Sequence, residues 1–111
     1  MNTESNPLGF DLLEPWVGLP DDGAAMVAEL KKELRTDSEL YGVEAQVVAH
    51  RCDCDDVLFR ILDRPEQFAV VHLTWSGKTD QNKGWPSTEL FIDAQDWRNK
   101  CMIPDHEDYT A

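Results

Sequence analysis

Apolar and polar positions change period several times along this chain, and each change marks an element. Val27, Leu30 and Leu34 recur at i, i+3 and i+7, with the small residues Ala24 and Ala28 beside them. The spacing predicts an amphipathic helix over GAAMVAELKKELRTD, capped by Asp21 or Asp22. Its outer face carries Glu29, Lys31, Lys32 and Glu33, which reads as a solvated surface. After the breaker Tyr41-Gly42 the period falls to two: Val43, Ala45, Val47 and Ala49 point one way, Glu44, Gln46, Val48 and His50 the other. DVLFRILD (56–63) and QFAVVHLTWS (67–76) are two further strand-forming runs, joined by Arg64-Pro65-Glu66.

Before the helix, LGFDLLEPWVGLP mixes apolar residues with Gly and Pro and reads as an irregular arm within residues 1–20. Beyond the third strand comes a polar, Gly-bounded loop at 77–84, then Trp85-Pro86 and a short strand STELF. Asp93 is placed to cap a short helix from Ala94 to Met102, with Asp96 in its first turn and Trp97 and Cys101 on one face. Pro104 is expected to stop that helix, leaving 103–111 as an acidic tail. The whole predicts one α+β domain over 1–111: a three- to four-stranded, mainly antiparallel meander with an N-terminal helix and a short C-terminal helix packed on it.

Charge adds the next constraint. With 22 acidic and 10 basic residues the net charge is −12, concentrated toward the two ends of the chain. Such a surface argues against nucleic acid and anionic membranes, both of which select clustered Lys and Arg, and it suits a basic protein partner. Plain solubility is the simpler reading of the same charge. No apolar run approaches the ~20 residues of a bilayer span. The first ten residues, MNTESNPLGF, show no basic-then-apolar leader pattern, so the expected compartment is the cytoplasm. Three cysteines, two of them as Cys52-x-Cys54, fit reduced thiols better than a disulfide framework.

The segment HRCDCDD is the sharpest candidate for chemistry, because His50, Cys52 and Cys54 at i, i+2 and i+4 on a continued strand would bring an imidazole and two thiols together. Against this, Asp53, Asp55 and Asp56 are turn formers, and a closed zinc site wants a second ligand pair that the sequence lacks. The segment reads as a turn; no metal or other cofactor is assigned. No nucleophile elbow, phosphate loop or dinucleotide fingerprint is present, and no residue is assigned as catalytic. His72, on the strand face of Phe68 and Val70, reads as a structural histidine; a small hydrolase with a pocket centred on His72 is the alternative. Trp75 falls in phase with Val71 and Leu73 and is expected in the core. Trp85, at the foot of the polar loop, is the expected interface anchor, with Lys78, Asp80, Lys83 and His72 as neighbours in a binding surface; packing of Trp85 over the sheet edge is the competing reading.

The run AVVHLTWSGK (69–78), continued by Trp85-Pro86-x-Thr88 and by Met102-x-x-Asp105, with DDVLF (55–59) ahead of it, resembles a group of small, largely uncharacterised bacterial single-domain proteins. Some of that group occur beside polymorphic toxin and immunity loci. The resemblance spans about residues 40–106 and implies an immunity-type role, in which an acidic module occludes a basic partner. It carries over no catalytic residue. An exposed edge strand would also allow a homodimer.

Overall fold

The structure is a computed structural model that describes residues 8–19, 21–38, 40–63, 67–79 and 87–111. Its centre is a five-stranded sheet of β1 (Trp16–Val17), β2 (Ala45–Arg51), β3 (Asp56–Ile61), β4 (Phe68–His72) and β5 (Ser87–Phe91), with neighbours in chain order. Every pairing is antiparallel, so the predicted α+β meander is observed, with five strands where three or four were expected. The extra strand lies in the arm, which is not wholly irregular: Trp16 pairs with Arg51 and Val17 with His50.

Both faces of the sheet are covered, which is why β3 and β4 read as nearly continuous apolar runs. On one face, Leu30 and Leu34 of the first helix, α1 (Ala24–Glu33, with Leu34 as its C-cap), pack with Leu40 against Val57, Phe59, Ile61, Ala69, Val71 and Leu73. On the other, Leu8, Trp16, Trp97 and Met102 pack against Ala49, Leu58, Phe68, Val70 and Phe91. Trp16 meets Trp97 edge to face at 5.3 Å between ring centroids, and Phe10 stacks on Trp97 at 6.3 Å.

The strict alternation expected along β2 fails at one point. Val47 pairs with Phe59 and Ala49 with Leu58, so Val48 is an extra residue in a bulge. An inserted residue reverses the phase of everything after it. Val43, Ala45 and Val47 accordingly face α1, while Ala49 joins the opposite core.

The start of α1 also differs from expectation. Gly23 is the N-cap, at φ 72°, with the Asp21 carboxylate accepting from its N–H at 2.8 Å and Asp22 accepting from Ala24 at 3.1 Å. Only glycine adopts that backbone cheaply, and a Cβ here would lie 2.7 Å from Cβ of Val47. The two aspartates therefore brace the turn, and the helix axis crosses close over β2.

At the C-terminal end Asp93 caps α2 (Ala94–Trp97) as expected, accepting from the Asp96 N–H at 2.8 Å. The helix then does not stop at Pro104. A π-helical turn over Arg98–Met102 leads into α3 (Ile103–Thr110), with the Ile103 N–H bonded to the Arg98 carbonyl. The wide turn re-registers the ladder just ahead of the proline, which then sits in the first turn of α3, where its missing N–H costs little. The expected acidic tail at 103–111 is thus helical through Thr110 and is pinned to the arm. Trp16 Nε1 donates to Asp105 at 2.9 Å, and His106 Nδ1 lies 2.6 Å from the Glu14 carbonyl. Among the described residues no helix is long and apolar enough to cross a membrane.

Candidate functional site

HRCDCDD forms the β2–β3 turn. Arg51 holds Asp53 with two contacts of 2.8 Å and reaches Asp105 of α3 at 3.4 Å, while the Cys52 N–H donates to the Pro15 carbonyl at 2.8 Å. The aspartates hold the guanidinium firmly in its charged form. Cys52 and Cys54 are exposed at the surface, though partial desolvation of the Cys54 sulfur by the surrounding turn still raises its pKa above the usual thiol value. His50 sits opposite Val57, on the face covered by α1, whereas Arg51 lies opposite Trp16. Among the described residues no cluster of three or more His, Cys, Asp or Glu is placed to hold a metal ion.

The second place of interest joins α1 to the loop after β4. Glu29 and Glu33 stand one turn apart and were expected in solvent; instead they are only 5% and 1% exposed. Glu33 accepts from the Thr74 N–H at 2.9 and 3.1 Å and from the Trp75 N–H at 2.8 Å. Glu29 accepts from the Gly77 N–H at 2.8 Å, so the two carboxyl groups, one helical turn apart, converge on the same loop. Burial, followed by the bond to Glu29, pushes the Glu33 carboxyl above its ordinary value, with the loop N–H groups opposing; the bond to Glu33, followed by the Gly77 N–H, holds Glu29 below its own. Outside the pair, Thr79 Oγ1 donates to the Lys32 carbonyl at 2.9 Å, tying the far end of the loop to α1.

This clamp reverses the expectation for Trp75. Leu73 is buried as its phase demands, but Trp75 takes φ 59° and turns outward to 45% exposure. Alternation ends with β4 at His72. A strand-period argument cannot see that the next backbone N–H groups are taken by side chains of a distant helix. The available signal was a pair of acids at i and i+4 on the border of the apolar stripe of α1.

Of the expected binding residues, Lys78 is exposed beside Trp75 in the clamped loop, and His72 lies at the end of β4. Trp85, Asp80 and Lys83 lie outside the described residues. His72 Nδ1 is 2.7 Å from Asp56 Oδ1, its direct partner across β3, and on the other side His72 pairs with Ser87 of β5. Directly opposed residues share a sheet face, so Asp56, His72 and Ser87 form one polar row at a corner of the sheet. The His72 side chain is 42% exposed there, which is wetter than a core histidine.

A cleft of about 300 Å³ also opens between α1 and the start of β2, lined by Val27, Leu30, Leu34, Tyr41, Val43 and Ala45, with Lys31 and Glu44 among its walls. Its volume lies at the small end of ligand pockets. No protein-family model, curated protein or solved structure matches this chain.

Proposed function

We propose that the chain is an acidic, immunity-like protein-binding module of the cytoplasm that captures a basic protein, with Trp75 as an anchor in addition to the expected Trp85. The carrying observation is Trp75 itself: a large aromatic ring, 45% exposed, on a loop whose backbone is held by two buried glutamates. A rigid, amphipathic ring loses little conformational freedom on binding, and tryptophan is enriched among residues that dominate interface energy. The net charge of −12 supplies long-range attraction to a cationic partner. Immobilised protein challenged with bacterial lysate at low and at physiological salt tests the reading. A basic protein should be retained by the wild type, released as salt rises, and retained at least about tenfold less by Trp75→Ala. Equal retention by Trp75→Ala, or retention indifferent to salt, refutes it.

The Asp56–His72 contact favours a second reading, a small hydrolase in which Ser87 is the nucleophile. It requires that a fluorophosphonate probe modify Ser87 and that His72→Ala abolish the modification; an unlabelled Ser87 removes this reading.

A further inference from the structure

The clamp on the Trp75 loop contains an element that the binding reading does not use. Two carboxyl groups, both nearly buried and one helical turn apart, converge on backbone amides of the same loop. Two charges so placed in a weakly solvated site repel, so the stable arrangement is one proton between them, as in other carboxyl pairs that share a site. Among the described residues, the groups that act on the pair come from α1, the loop and the sheet. From α1 itself the cation acting on the pair is Lys32, on Glu29; from the loop come the N–H groups of Thr74, Trp75 and Gly77 and the Thr74 hydroxyl. The sheet face that α1 covers contributes the apolar cluster around Leu73. Among the described residues none of these loop groups is a cation; Lys78 of the same loop is exposed to solvent.

We propose that a single proton held between Glu29 and Glu33 gates the 74–79 loop, and with it the rigid display of Trp75. With one proton, the pair is a hydrogen-bonded monoanion whose oxygens also accept the loop N–H groups. Removing that proton leaves two anions whose repulsion is relieved when one side chain swings to water, releasing its amides. The sign follows from the two directions. A carboxyl whose folded value is raised, as for Glu33, contributes stability below its unfolded value and loses it as pH rises through the folded value. One whose folded value is lowered, as for Glu29, contributes stability above its unfolded value and loses it as pH falls through the folded value. The clamp is therefore tightest in a window around 4.5, the ordinary glutamate value for both, and loosens as pH rises through the value of Glu33. As regulation of the anchor, the gate rests on the binding reading; as a property of the loop, it is testable without any partner.

The experiment is amide hydrogen exchange on the full chain from about pH 4.5 to about pH 8, corrected for the intrinsic dependence of exchange on pH. In the wild type, protection of the Thr74, Trp75 and Gly77 amides should fall about tenfold or more across one titration step, while amides of β3 and β4 stay protected. In Glu29→Gln the carboxamide NH2 donates to Glu33 at every pH in place of the shared proton, and its oxygen still accepts from Gly77; the step should vanish with the loop held. A flat wild-type profile overturns the gate, as does an unchanged step in Glu29→Gln. Should Glu29→Gln fold poorly, Glu33→Gln serves the same purpose, because it too leaves a single titrating carboxyl. A wild-type step seen alongside full partner retention by Trp75→Ala would uphold the gate and refute the binding reading, so the two failures are separable.

Discussion

Replacing Glu33 by alanine removes the acceptor of two backbone N–H groups at once, those of Thr74 and Trp75. Hydrogen bonds to a charged acceptor contribute about 1.5–3 kcal/mol each, for a gross loss of about 3–6 kcal/mol. Two effects reduce it. Thr74 and Trp75 are themselves exposed, so water can reach the freed amides once the carboxyl group is gone, and the Glu33 side chain no longer has to be held in one rotamer. The expected net destabilisation is about 2–3 kcal/mol, which for a domain of this size lowers the melting temperature by about 8–15 °C. Urea unfolding followed by circular dichroism measures it, with the exposed Lys31→Ala on the same helix as control, expected within about 0.5 kcal/mol of wild type. If Glu33→Ala also falls within about 0.5 kcal/mol, the carboxylate does not hold the loop and the argument built on it fails.

Gly23→Ala is expected to destabilise by about 2–3 kcal/mol, since the new side chain meets both the positive φ and Val47 at 2.7 Å; an unchanged urea midpoint would show that the α1–β2 approach is looser than described. Alkylation at neutral pH should modify the exposed Cys52 and Cys54 and spare Cys101, whose thiol is pushed far up by burial and then by the nearby Asp105. Peptide mass spectrometry of the alkylated native protein reads this directly, and early modification of Cys101 would mean that it is not packed against the core cluster of Trp97 and Met102.

The elements were legible where one local rule decided them. The apolar stripe of Val27, Leu30 and Leu34 placed α1, period-two runs placed β2 to β4, and Asp93 marked a helix start whose cap bond is present. What stayed hidden depended on partners remote in sequence. The bulge at Val48 takes its cause from pairing with β3, and the run through Pro104 from a change of helix pitch. β1 is two residues long, too short for any period to register, and forms because the chain beside it presents Arg51 and His50. The candidate site was the least legible part: Glu33 lies 41 residues from Thr74, and nothing local distinguishes a glutamate that binds backbone amides from one in solvent.

The same remoteness explains why Trp75, and not a glycine, occupies a left-handed backbone position. For a bulky residue that conformation costs about 1–3 kcal/mol and persists only where surrounding contacts over-determine it. Here the contacts are the charge-assisted bonds from the Thr74, Trp75 and Gly77 amides to Glu33 and Glu29, whose combined strength exceeds that cost. The φ of Trp75 is what swings its ring away from the core position that alternation assigns to it. Exposure of the ring and burial of the two glutamates are therefore one structural event seen from two sides. Weakening the clamp should let Trp75 relax toward an extended backbone and lose its fixed orientation, so any function that depends on this ring depends equally on the two acids that hold its loop.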